Sequence, residues 1–159
     1  MSIRSLAASV VSKALVPLPI PPTASPDPRV PCVIVLDKSG SMAGDKIDQL
    51  NAAMGAFGGF LKADKRTAAN AELAVVTVGD TVEVAVEFTP AGDFQPPVLA
   101  AHGHTPLGAG CVTALQLLNE RLALYRKMEL EHHTPWLTVL TDGGENVDHG
   151  QFATAGNLI

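Results

Sequence analysis

Residues 33–42 read Val33-Ile34-Val35-Leu36-Asp37-Lys38-Ser39-Gly40-Ser41-Met42 (VIVLDKSGSM). An apolar, β-branched run stops at an acid, and two serines follow at an interval of two. With Cys32 the run becomes CVIVL (32–36), short and without a polar residue, as expected of a parallel strand covered on both faces. Its tip then carries a carboxylate and two hydroxyls, at the end of the strand where an α/β sheet places its ligand loops.

The remaining chain supplies the rest of such a sheet. Ile47, Leu50, Met54, Phe57 and Leu61 recur at spacings of three and four, which predicts a helix over 45–62. Residues 71–78 (AELAVVTV) read as a second strand, with Gly79-Asp80 at a tight hairpin turn. Val82, Val84, Val86 and Phe88 alternate with Glu83, Ala85 and Glu87, so a third strand should bury one face and lie at a sheet edge. After a loop (89–104), Thr105-Pro106 reads as an N-cap hydroxyl and a proline at the first helical position. The helix behind it shows a stripe of Cys111, Leu115, Leu118, Leu122 and Tyr125. Residues 136–141 (WLTVLT) form a fourth strand that also ends at an acid, in Asp142-Gly143-Gly144. Strand, helix, hairpin, helix, strand predicts an α/β doubly wound, Rossmann-like sheet with one antiparallel edge strand.

Composition limits the function classes. With 159 residues and 47% of them hydrophobic, one domain with a real core is expected. A mild net charge of −5 and the lack of a basic run argue against a nucleic-acid footprint. Lys13 interrupts the apolar N-terminal stretch, and no run nears the ~20 residues of a spanning helix, so neither a membrane span nor a cleaved signal is expected. Cys32 and Cys111 read as buried free thiols, which fits a cytoplasmic setting. Residues 16–31 (VPLPIPPTASPDPRVP) hold seven prolines and favour extended chain. The expected organisation is a flexible Pro-rich arm over 1–30 and a folded domain over 31–159.

In a doubly wound sheet three loops reach the same edge. They bring Asp37, Ser39 and Ser41 from the first strand, Thr105 from the second long helix and Asp142 from the fourth strand. Two carboxylates and three hydroxyls suit a hard cation, Mg²⁺ or Mn²⁺, whereas zinc prefers nitrogen and sulfur. Alternation puts Ser39 and Ser41 on one side of an extended loop, with Gly40 letting the backbone pass close. Neutral hydroxyl ligands leave such an ion electrophilic, seeking a carboxylate from another molecule. Taken singly, an Asp with serines beside it is also a capping or turn device. His102 and His104 read as surface residues, with zinc ligation the alternative. His132-His133 should meet the C-terminal carbonyls of the preceding helix. Glu129, Glu131 and Asp148 read as solvated charges, with water-mediated support of the metal the alternative for Asp148.

Together, Asp37-Lys38-Ser39-Gly40-Ser41, the Thr105 of HTPLG and Thr141-Asp142-Gly143 resemble the metal-ion-dependent adhesion site (MIDAS) of the von Willebrand factor type A (vWA) domain. The resemblance covers about residues 31–155. DFQPP, GHTPLGAG and HHTPWLTVLTDG resemble its bacterial stand-alone branch, associated with tellurium resistance and stress response. It implies that Ser39, Ser41 and Thr105 ligate Mg²⁺ directly and that Asp37 and Asp142 act mostly through water. It also implies a protein partner offering a carboxylate, and no catalysis.

Two features depart from the branch. His104 stands where glycine usually precedes the Thr-Pro pair. A complete domain also continues past the Asp142 loop with a helix, a fifth strand, a further helix and a sixth strand, whereas 151–159 allow at most two helical turns. A C-terminally truncated sheet of order 3-2-1-4 is therefore expected, its apolar strand 136–141 left as an uncharged edge open to self-association. Two rivals remain. One is a Mg²⁺-dependent phosphoryl-transfer enzyme with Asp37 as nucleophile or metal ligand. It would have to work without a second acid two residues on, and with Lys38, the one cation in these loops, alternating away from the metal. The other is an inert fragment.

Overall fold

Every side chain of the second strand is buried, and the first is nearly so, because both lie in the middle of one sheet. The computed structural model describes Ile20 and residues 25–143. Strands β1 (Val30–Asp37), β2 (Ala71–Val78), β3 (Val82–Pro90) and β4 (Trp136–Leu140) are ordered β3-β2-β1-β4. β1 pairs in parallel with β2 and β4, and β3 runs antiparallel to β2. The sheet is therefore doubly wound with an antiparallel edge strand, as the alternation of elements predicts. Helices α1 (Asp45–Ala63), α2 (Lys65–Asn70) and α3 (Leu107–Lys127) accompany it, with a 3-10 turn at Gly40–Met42. Ile34, Leu36, Leu73 and Val75 pack with Ile47, Leu50 and Met54 of α1. From the other face, Val33, Val35, Val76 and Val78 pack with Leu107, Ala114, Leu117 and Leu118 of α3. Successive residues of one strand thus feed two cores, which is why β1 and β2 need apolar residues at consecutive positions.

Several local expectations are corrected. Phe57 is 37% exposed and rests edge-on against Phe94, with ring centroids 6.4 Å apart. Gly58 takes the buried position on α1 and packs against Pro96. The short α2 escapes a periodicity search because it has six residues; Asp64 caps it by accepting the Thr67 N–H at 2.7 Å. Along β3 the exposed Glu83, Ala85 and Glu87 alternate with the more buried Val82, Val84, Val86 and Phe88 as predicted, but those four do not share one face. Two register irregularities against β2 turn Val86 toward the α1 side, while Val82, Val84 and Phe88 face α3. The hairpin turn has three residues, Gly79 to Thr81, closed by the Gly79 N–H on the Thr81 carbonyl at 3.1 Å. Thr105 is not the cap of α3. Pro106 holds that position, and the Leu107 N–H bonds to the Thr105 carbonyl at 2.8 Å.

The described part of the N-terminal arm packs onto the domain. Ile20 and Arg29 are buried, and Asp27 accepts from Arg66 at 2.8 Å. Residues 1–19 and 21–24, Asp148 and the expected turns over 151–159 lie outside the described residues. Cys111 is buried, and burial pushes the thiol of half-buried Cys32 up to about 11, so both read as unreactive thiols. Among the described residues no helix is long and apolar enough to cross a membrane.

Helix α3 is fixed to the sheet at both of its ends. Near its C-terminus, fully buried Glu72 accepts from Arg121 Nε at 2.9 Å and Nη2 at 2.7 Å, and from the Tyr125 hydroxyl. Arg121 also lies over the Phe88 ring, 5.2 Å from its centroid. A buried carboxylate is tolerable only when paired and hydrogen-bonded this fully. Near the N-terminus, a Cβ on Gly110 would fall 2.4 Å from Val78 Cγ2, so only glycine lets the helix approach the end of β2.

Burial, and then the Glu72 charge, push the Tyr125 hydroxyl well above its ordinary 10.0. A raised folded value means a contribution to stability that is complete below pH 10 and lost as pH rises beyond it. Tyr125 is the sole tyrosine. Near-ultraviolet absorbance during an alkaline titration should therefore show tyrosinate only as the protein unfolds. A reversible titration close to pH 10 with the fold intact would contradict this burial.

Candidate metal centre

β1 delivers Asp37 to the carboxyl edge of the sheet, where the side chain is fully buried. Oδ1 accepts the Ser39 N–H at 2.8 Å, and Oδ2 accepts the Thr141 hydroxyl at 2.7 Å. The first bond folds the loop back on the strand, and the second ties β1 to the residue just past β4. Ser39 is buried too, with its Oγ 3.1 Å from Ser41 Oγ. Ser41 in turn donates to Asp142 Oδ1 at 2.9 Å. Asp37, Ser39, Ser41 and Asp142 thus form one contiguous cluster, as their spacing at strand ends predicts.

Thr105 joins through its loop. The Gly40 N–H bonds to the Gly103 carbonyl at 2.9 Å, and the His102 N–H bonds to the Lys38 carbonyl at 2.8 Å. These two bonds lay the 102–105 segment alongside the serine loop, and Thr105 is buried there. Gly103 has a φ of +80°, and a Cβ on it would fall 2.1 Å from Asp80 Oδ1. Upstream, Asn51 of α1 fixes the same loop by bonding both the N–H and the carbonyl of Leu99, at 2.8 and 2.9 Å.

The cations divide as alternation predicts for one and not for the other. Lys38 turns away to Glu83, at 3.5 Å. Lys46, which lies outside the three site loops, bonds to the Ser41 carbonyl at 3.2 Å and forms an ion pair with Asp142. It is the second residue of α1, outside the motif. The signal for it is that the start of α1 must lie beside the loop that feeds it, within reach of a lysine stem. The Lys46 and Ser41 hydrogen bonds hold the Asp142 carboxyl below the usual carboxylate range.

His102 and His104 are exposed, and His102 Nδ1 lies 3.0 Å from the Ala100 carbonyl. Among the described residues no group of three His, Cys, Asp or Glu side chains gathers as a metal site. The C-terminal carbonyls of Leu124, Tyr125 and Arg126 are taken by the backbone N–H groups of Met128, Glu129 and Leu130 rather than by His132. Its ring lies instead 5.7 Å from that of Tyr125. The donors of the oxygen cluster, carboxylates and hydroxyls, are of the types that suit a hard divalent cation.

A family profile for the von Willebrand factor type A domain matches residues 32–145. The chain belongs to that family. The vWA domain is a module that often mediates protein interactions. Among solved structures, the chain is similar to the vWF domain of the type V pili tip protein Mfa5 from Porphyromonas gingivalis (18% identity, TM-score 0.52). It is also similar to the PilB minor pilin from Streptococcus sanguinis (16% identity, TM-score 0.53). These alignments cover 77% and 79% of this chain but 43% and 31% of the two neighbours, so the chain spans less than half of either. At such identity the likeness is one of fold. No curated protein matches.

The Thr141 bond to Asp37 offers a direct test of how the edge is held. Thr141→Val removes a donor from a buried charge and should lower unfolding free energy by about 1.5–3 kcal/mol, read as an earlier urea midpoint. An unchanged midpoint would show that Asp37 does not depend on that hydroxyl.

Proposed function

We propose that this vWA domain is a metal-ion-dependent protein-binding module, with Mg²⁺ or Mn²⁺ held by Asp37, Ser39, Ser41, Thr105 and Asp142. The observation that carries the reading is the oxygen cluster itself, which gathers at the edge of the sheet and already attracts an internal cation, Lys46, to Asp142. When bound, the divalent ion supplies an electrophilic centre for an acidic side chain of a partner protein. Ser39 and Ser41 offer neutral oxygens, and both oxygens of Asp37 are committed to Ser39 and Thr141. Asp37 would then support the ion through these bonded neighbours, and its charge would neutralise the ion only in part.

The same commitments speak against the phosphoryl-transfer reading. A buried carboxylate with both oxygens hydrogen-bonded is poorly placed to attack a phosphorus atom, and Lys38 faces Glu83. An inert fragment fits poorly with three loops tied together at one edge. A place in the bacterial tellurium-resistance or stress-response branch, in the cytoplasm, belongs to the same proposal and rests on DFQPP, GHTPLGAG and HHTPWLTVLTDG. Self-association through β4 is the remaining part. Among the described residues no strand pairs with its outer edge, and Trp136, Val139 and Leu140 are exposed.

Isothermal titration with Mn²⁺ should show one site, abolished in Asp37→Ala and weakened in Thr105→Ala, a smaller change that leaves the Asp37 contacts in place. Partner capture should be lost in EDTA and in Thr105→Ala. Equal metal binding by wild type and both variants would sink the assignment.

A further inference from the structure

Helix α1 begins with an arrangement that local preference opposes. The first turn of a helix is its positive end, where Asp and Glu are favoured and Lys is not. Asp45 and Asp48 obey that rule, and Lys46 between them breaks it. Its ammonium group is drawn instead to Asp142 and the Ser41 carbonyl. A locally unfavourable residue held by a specific partner points to a role beyond the helix.

Resting on the metal reading above, we propose that Lys46 is a tethered surrogate cation. It neutralises Asp142 while the site is metal-free and must release that carboxylate before a divalent ion is held, so it sets the affinity for metal. Three observations fit the role. Both Asp142 oxygens are engaged, Oδ1 by Ser41 and Oδ2 by Lys46, so a metal or its water meets a carboxylate already in use. The Lys46 side chain is 56% exposed and that of Asp142 15%, so the lysine can swing into water while the acid stays at the edge. Finally, Thr141 bonds to buried Asp37 while the next residue, Asp142, is held by Lys46, so one short segment links the lysine to the buried acid.

The test compares Lys46→Met, Lys46→Arg and Asp37→Ala by Mn²⁺ titration and by thermal melts with and without metal. Lys46→Met keeps the stem and removes the charge. Its affinity should tighten by roughly threefold to tenfold, as loss of one exposed ion pair and one like-charge neighbour implies. Lys46→Arg should stay near wild type. In EDTA, Lys46→Met should melt below wild type, and saturating Mn²⁺ should close the gap. Unchanged or weaker affinity in Lys46→Met, with Asp37→Ala still abolishing binding, overturns the role of Lys46 and leaves the metal site standing. No binding by wild type and Lys46→Met alike overturns the metal reading and this inference with it.

Discussion

A carboxylate with no access to solvent closes the central strand, and the edge of the sheet is arranged around its needs. Burying Asp37 would cost several kcal/mol if its oxygens lacked partners. The Ser39 N–H and the Thr141 hydroxyl supply them, one from the next loop and one from beyond β4. Those two bonds explain why the serine loop turns back over the strand end and why Asp142, one residue past Thr141, arrives beside Ser41. The acid that opens the functional loop is also what draws that loop together.

A second buried acid, Glu72, sits at the opposite end of the sheet and has a different task. Arg121 and Tyr125 neutralise and satisfy it, which anchors the far end of α3 to β2. The near end is placed by Gly110 against Val78. With α3 held at both ends, Thr105 just before it is delivered to the site by packing far from the site. One buried carboxylate is closed off by its partners, while the other belongs to a cluster that continues to the surface through Ser41 and Asp142.

The strands and long helices were legible because their signals are local. CVIVL is a continuous apolar run, AELAVVTV ends in β-branched residues, and Ile47, Leu50, Met54 and Leu61 keep helical spacing. The gathering of Asp37, Ser39, Ser41 and Asp142 was legible because strand ends in a doubly wound sheet converge. What the sequence hid depends on tertiary contact. The bulges in β3 leave the Val-Glu alternation intact while Val86 changes sides. The pairing of Glu72 with Arg121 exists only once β2 and α3 meet. Thr105 looked like a cap because Pro106 follows it, yet the helix starts one residue later than that pattern implies. Lys46 lay outside the motif, in a helix whose start touches the site only once folded.

The chain thus combines a vWA sheet with an oxygen-lined edge at which a lysine pairs with Asp142. The claim that unites these features is that the cluster is a divalent cation site. It is tested most directly by anomalous scattering from a crystal of the full chain grown with Mn²⁺. A single peak among Ser39, Ser41 and Thr105, with Asp37 and Asp142 around it and Lys46 displaced from Asp142, is the expected result. A peak at His102 and His104 with the oxygen cluster still closed around Lys46 would contradict it.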